Sequence, residues 1–135
     1  MSQSFTLTSG LDTFTGLPGG INDFFFTPAT LHSTDTVTGV GAGPTLDQLD
    51  MTTSGLVQAS QFAGVTTIEQ LNLMRGDAYV ELTDALIAGS SAGYFGVRTY
   101  GDGSYVVDAS ATSAERAMSA TSKRSCSPTA RITSR

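Results

Sequence analysis

Asp12-Thr13-Phe14-Thr15-Gly16 returns as Asp35-Thr36-Val37-Thr38-Gly39, 23 residues further along the chain. A second pair follows: Leu49-Asp50-Met51 is echoed by Leu71-Asn72-Leu73 at a shift of 22. Each echo carries alternating polar and apolar residues, the pattern of a short strand with one face turned inward. A repeat of about 20–25 residues is one rung of a β-solenoid, in which each rung buries its apolar face against its neighbours. The repeats therefore predict an all-β fold, a parallel β-solenoid of the β-roll or β-helix kind, with short strands and Gly-rich turns.

The surrounding sequence agrees with that period. Strand-like segments occur at Phe5–Leu7, Phe24–Phe26, Leu46–Met51, Thr67–Leu73, Ala78–Leu82, Phe95–Val97 and Tyr105–Val107. Turn residues separate them, as at Leu17-Pro18-Gly19-Gly20, Gly39–Pro44, Arg75-Gly76-Asp77, Gly89–Gly93 and Gly101-Asp102-Gly103. Phe24, Phe25 and Phe26 cannot all face one way, so that strand is expected to be buried on both faces. One helical turn is expected over Leu82–Ala88, with Asp84 as its cap. The solenoid is expected to span residues 1–110. From Ala111 onward a basic Ser/Thr-rich tail, residues 111–135, lacks apolar periodicity and reads as weakly ordered.

Composition narrows the classes of function. Of the 135 residues only 14% are charged, well under the roughly 25% of an average soluble domain. Polar surface must then come from Thr, Ser, Asn and Gly, which suits closely turned β-structure. Residues 1–110 hold eleven acids and only two bases, Arg75 and Arg98, for a charge of about −9. Such a lysine-free acidic body repels nucleic acid and anionic membranes; it suits hard cations bound through oxygen, while charge alone favours a solvated acidic surface with no specific ion. One cysteine, Cys126, and one histidine, His32, exclude a disulfide framework or a Cys/His metal cluster. No apolar run reaches the roughly 20 residues of a membrane-spanning helix, and Met1–Gly10 lacks the pattern of a cleaved signal peptide.

Three segments look like worn copies of the calcium-binding nonapeptide G-G-x-G-x-D-x-U-x. They are Pro18–Phe26, the run Gly39–Gly43 with Asp47-Gln48-Leu49 after an insertion, and Gly101–Asp108. On these motifs residues 4–110 resemble the divergent β-solenoid regions of bacterial RTX-type (hemolysin-type) proteins. The resemblance implies calcium-assisted folding, type I secretion and residence outside the cell or on its surface. It also implies metal ligands at Asp23, Asp47 and Asp102, helped by carbonyls near Gly19, Gly41 and Gly101. The sequence departs from the pattern where Pro18 and Ile21 replace glycines and where Tyr105 takes an aspartate position. The basic tail also departs from a family secretion signal.

Other constellations carry less. Glu69, Glu81 and Asp84 offer carboxylates for glycoside hydrolysis, but nothing in the sequence fixes their separation. No nucleophile or base accompanies His32, so no enzyme is expected. Tyr79, Tyr94, Tyr100 and Tyr105 would stack on sugars if they formed an exposed row, which would make the chain a carbohydrate-associated module. The expected function is instead a non-enzymatic, calcium-associated structural or adhesive module. Its expected partners are calcium ions, a cell-surface polysaccharide, or a second copy meeting it through the solenoid ends.

Overall fold

In the computed structural model the described residues are 2–40, 46–90, 95–109, 118–122 and 129–134, and they form a parallel β-solenoid with one short α-helix and a 3₁₀ turn at Ala59–Phe62. Three parallel sheets make its faces. Sheet A holds β1 (Ser2–Thr6), β3 (Ile21–Phe26), β5 (Leu46–Met51), β8 (Gln70–Leu73), β10 (Phe95–Thr99) and β12 (Met118–Ser122), in that spatial order. Sheet B is β2 (Thr13–Thr15), β4 (Thr36–Thr38) and β7 (Val65–Thr66). Sheet C is β6 (Gly55–Val57), β9 (Ala78–Glu81), β11 (Ser104–Ala109) and β13 (Thr129–Ser134). From β1 to β8 the chain leaves sheet A through a corner, passes sheet C or the loop in its place, and returns by way of sheet B; between β9 and β10 it returns through the helix α1 (Asp84–Ala88) instead.

The two sequence echoes are stacked neighbours. Thr13, Phe14 and Thr15 lie beside Thr36, Val37 and Thr38, and Leu49, Asp50 and Met51 lie beside Leu71, Asn72 and Leu73. Repeat spacing in the sequence is thus strand register in the fold. Side-chain alternation sends the apolar members inward, where like stacks on like. One interior column runs Phe5, Phe24, Leu49, Leu71, Val97 through sheet A. Phe14, Val37 and Val65 form another in sheet B, and Val57, Val80 and Val107 a third in sheet C. Outward on sheet B stands a threonine column, Thr15, Thr38 and Thr66.

Differences from the expected elements have local causes. Phe24 and Phe26 are buried and Phe25 is half-buried on the outer face, so β3 alternates and is not enclosed on both sides. The strand expected from Thr67 begins at Gln70, because Thr67 has φ 60°, outside the extended region. The helix α1 is Asp84–Ala88, and its cap is Thr83, whose Oγ1 accepts the Leu86 N–H at 3.1 Å; Asp84 is the first helical residue. Strands β6 and β7 escape sequence reading, being three and two residues long. Within the stretch read as a tail, β12 runs parallel to β10 and β13 parallel to β11.

Candidate functional site

Carboxylates tie the rungs together. Asp35 Oδ1 accepts the Asp12 N–H at 3.0 Å, Glu69 Oε2 accepts the Asp47 N–H at 2.9 Å, and Glu81 Oε1 accepts the Ala59 N–H at 3.0 Å. In each case the acid lies 22 or 23 residues after the amide, so it reaches back one rung. For the buried amides of Asp12 and Asp47, leaving the N–H unpaired would cost about 1–3 kcal/mol. The acid supplies the missing acceptor. Asp35 and Asp12 also close their own turns, accepting the His32 N–H at 2.7 Å and the Thr8 N–H at 2.6 Å. His32 Nδ1 lies 3.4 Å from Asp35.

Asp47 sits at the centre of a buried polar column that lines the corner from sheet B to sheet A. Its Oδ1 accepts from Asn22 Nδ2 at 2.6 Å and its Oδ2 from the Val40 N–H at 2.7 Å. Asn22 in turn accepts the Leu17 N–H and donates to the Leu17 carbonyl, both at 3.0 Å. Asn22, Asp47 and Glu69 are all buried. Glycine makes the room: a Cβ on Gly39 would lie 1.9 Å from the Thr67 carbonyl oxygen and 2.6 Å from Asp47 Oδ2. Both Asp47 oxygens are thus spent on protein donors.

Asp23 lies on the opposite, outer face of sheet A, beside Gln48. There it joins an amide–carboxylate network. Gln48 Nε2 donates to Asp23, Gln70 Nε2 donates to Gln48 at 2.8 Å and to Asn72 at 2.9 Å, and Asn72 Nδ2 donates to Asp50. Asp50 is held above the usual carboxylate range of 3.8, chiefly by burial; the Asn72 bond opposes the rise and the Asp23 charge adds to it.

Asp102 is exposed, at the corner from sheet A to sheet C. Successive corner loops border a shallow cleft of about 590 Å³ there, whose walls include Thr52, Ser54, Arg75, Asp77 and Asp102. Asp77 is the keystone of the corner. Its carbonyl accepts the Gly55 N–H at 3.2 Å, and its Oδ1 accepts the Ser104 N–H at 3.3 Å. It does so with φ 60°, a left-handed conformation that aspartate tolerates better than most residues. Tyr105 is buried beneath the corner, and its hydroxyl donates to the carbonyls of Tyr100 and Gly101. Its phenol is pushed up by burial, then by the charges of Asp102 and Asp77.

The three sequence-derived ligand positions therefore occupy three settings: Asp47 inside, Asp23 on the outer face of sheet A, and Asp102 at a corner. Among the described residues no group of three or more His, Cys, Asp or Glu side chains is placed to hold a metal ion. Gly41, Tyr94 and Cys126 lie outside the described residues. The tyrosines that are described do not share a face. Tyr105 is in the core, Tyr100 follows β10 at the corner, and Tyr79 is on the outer side of sheet C with its hydroxyl on Asp108 at 2.9 Å. Sequence reasoning missed the ties made by Asp35, Glu69 and Glu81. Only Asp35 carries a signal, as the head of a repeat copy equivalent to Asp12, and even there the repeat does not reveal its partner a rung away. Among the described residues no helix is long and apolar enough to cross a membrane.

Comparison with family models, with curated proteins and with solved structures found no match to this chain.

Proposed function

We propose that this chain is a non-enzymatic β-solenoid module with a structural or adhesive role in a secreted or surface-associated protein. The observation that carries this reading is the set of inter-rung carboxylate ties. The acids that would suit hard cations are largely committed to backbone amides and to neighbouring amide side chains. Such a solenoid holds its rungs with its own hydrogen bonds, and every buried side-chain N or O among the described residues has a partner. The worn nonapeptide copies support reading it as a divergent relative of RTX-type solenoids, in which protein groups have taken over part of the work of calcium.

Calcium association, on this reading, is weak and belongs to the outer corner. Asp102 and Asp77 face solvent there, amid the hydroxyls of Thr52 and Ser54 and the loop carbonyls. Arg75 beside them lowers the affinity for a cation by like charge. Calorimetric titration tests this. Saturable binding with a Kd on the order of 10⁻⁴–10⁻³ M, as in extracellular calcium modules, is expected for the native chain. Asp102→Asn should abolish it, and Asp23→Asn should leave it unchanged. Tight uptake of several ions, or loss of binding in Asp23→Asn, would contradict the assignment.

A further inference from the structure

Arg75, one of only two bases in residues 1–110, stands in the outer corner cleft with its guanidinium uncommitted. Among the described residues it makes no ion pair and no hydrogen bond, although Asp77 and Asp102 line the same cleft. Asp102 likewise spends neither carboxylate oxygen on a described residue, and Asp77 spends only Oδ1, on the Ser104 N–H. The backbone beneath these groups is fixed. Successive corner loops approach so closely that a Cβ on Gly76 would lie 1.9 Å from the Asp102 carbonyl oxygen. Gly101 takes φ 78°, and the Tyr105 hydroxyl bonds its carbonyl from below. The free base and the free acids are therefore presented from tight turns in a set frame.

Size and composition define what fits. The cleft holds about 590 Å³, whereas Ca²⁺ ringed by six to eight waters fills only about 200 Å³. The remainder has room for an organic molecule and lies in the range of small-ligand pockets. Calcium alone is also poorly served. No third His, Cys, Asp or Glu joins Asp77 and Asp102 among the described residues, and Arg75 repels the ion. A ligand carboxylate removes both defects at once. It adds anionic oxygens to the shell of the metal and takes a charge-assisted bond from the guanidinium. The rest of the wall suits a sugar. Thr53 and Ser54 present exposed hydroxyls without partners among the described residues, and Met74, 38% exposed, offers an apolar edge to ring C–H groups.

We propose that the corner cleft is a composite site for calcium and a sugar acid: Asp102 and Asp77 hold the ion, Arg75 pairs with the carboxylate of the sugar, and that carboxylate bridges the two. The proposal rests on the calcium reading above and deepens it by naming the ligand that shares the site. Arg75, which weakens calcium binding when alone, becomes the group that makes it depend on the sugar. Each ligand then strengthens the other by the same factor, because coupling between two bound ligands is reciprocal.

The test is calorimetric titration of the full chain with calcium, alone and in glucuronate, corrected for the calcium that the anion binds in buffer. Acetate and glucose are the carboxylate-only and hydroxyl-only controls. Calcium affinity is expected to rise about tenfold in glucuronate, less in acetate and not at all in glucose. Arg75→Gln should bind calcium alone more tightly than the native chain, because the like charge is gone, and should lose the gain from glucuronate. Circular dichroism on the variant checks that the solenoid is intact. Calcium binding with no gain from glucuronate, or a gain that Arg75→Gln retains, would overturn the composite site and leave the calcium reading standing. An equal gain in acetate would overturn the assignment to a sugar. No calcium binding with or without glucuronate would overturn both.

Discussion

Asp35 accepts the amides of Asp12 and His32, and Asp12, one rung earlier, accepts that of Thr8. Every position of the five-residue repeat now has a physical task. Asp satisfies turn amides, the flanking threonines face solvent, Phe14 or Val37 fills the core, and the closing glycine makes space for Asn22 and Asp47. Removing the Asp47 carboxylate leaves the half-buried Val40 amide without its acceptor and takes from the buried Asn22 Nδ2 one of its two acceptors, the Leu17 carbonyl remaining. Asp47→Ala is expected to cost about 3 kcal/mol, measured by urea unfolding, and Asp47→Asn less because one acceptor remains. Gly39→Ala should cost about 2–3 kcal/mol, since its Cβ meets backbone oxygen that cannot move aside. Asp50 makes the opposite prediction. Its pKa is raised in the fold, so between its ordinary value and that raised value the folded state holds the extra proton. Stability therefore falls as pH rises through that window, and Asp50→Asn should be more stable than the native chain at neutral pH and flatter across it. A variant less stable at neutral pH would show that the charged form is the favoured one.

At the scale of the element, the strands are individually marginal. Several have three residues or fewer, and they persist because each is paired on the solenoid and adds to a column. Leu71 sits mid-column between Leu49 and Val97, fully buried. Leu71→Ala should cost about 3 kcal/mol. Thr83→Ala, which removes only the cap of α1, should cost about 1 kcal/mol, so thermal melts should separate the two readily. Legibility in the sequence followed the same hierarchy. The long strands of residues 1–110 and the register of both echoes could be read directly, because alternation and period are local signals; β12 and β13, in a stretch without apolar alternation, could not. Strands β6 and β7 could not, since Gly55-Leu56-Val57 and Val65-Thr66 are strands only through their neighbours. Asp23, Asp47 and Asp102 were singled out as candidate calcium ligands by the worn nonapeptide copies. The sequence could not tell that one is buried, one faces out of sheet A and one borders a cleft, because facing is a three-dimensional property. The partners of Asp35, Glu69 and Glu81 lie a full rung away, beyond any local pattern.

For the whole molecule, a solenoid's stability is approximately a sum over rungs and the interfaces between them. Two kinds of glue act at those interfaces here: apolar columns inside, and carboxylate ties with amide ladders at the corners and on sheet A. In an RTX-type roll whose turns depend on calcium, the metal supplies the second kind, and the apo chain is unfolded because binding and folding are one process. With its ties made from its own side chains, this chain should fold without metal. The most direct measurement is urea unfolding followed by far-ultraviolet circular dichroism, in chelator and again in millimolar calcium. A β spectrum and a cooperative transition in chelator, shifted only slightly by calcium, is the expected result. A coil spectrum in chelator that becomes β only when calcium is added would contradict it, and would return the rung interfaces to the metal.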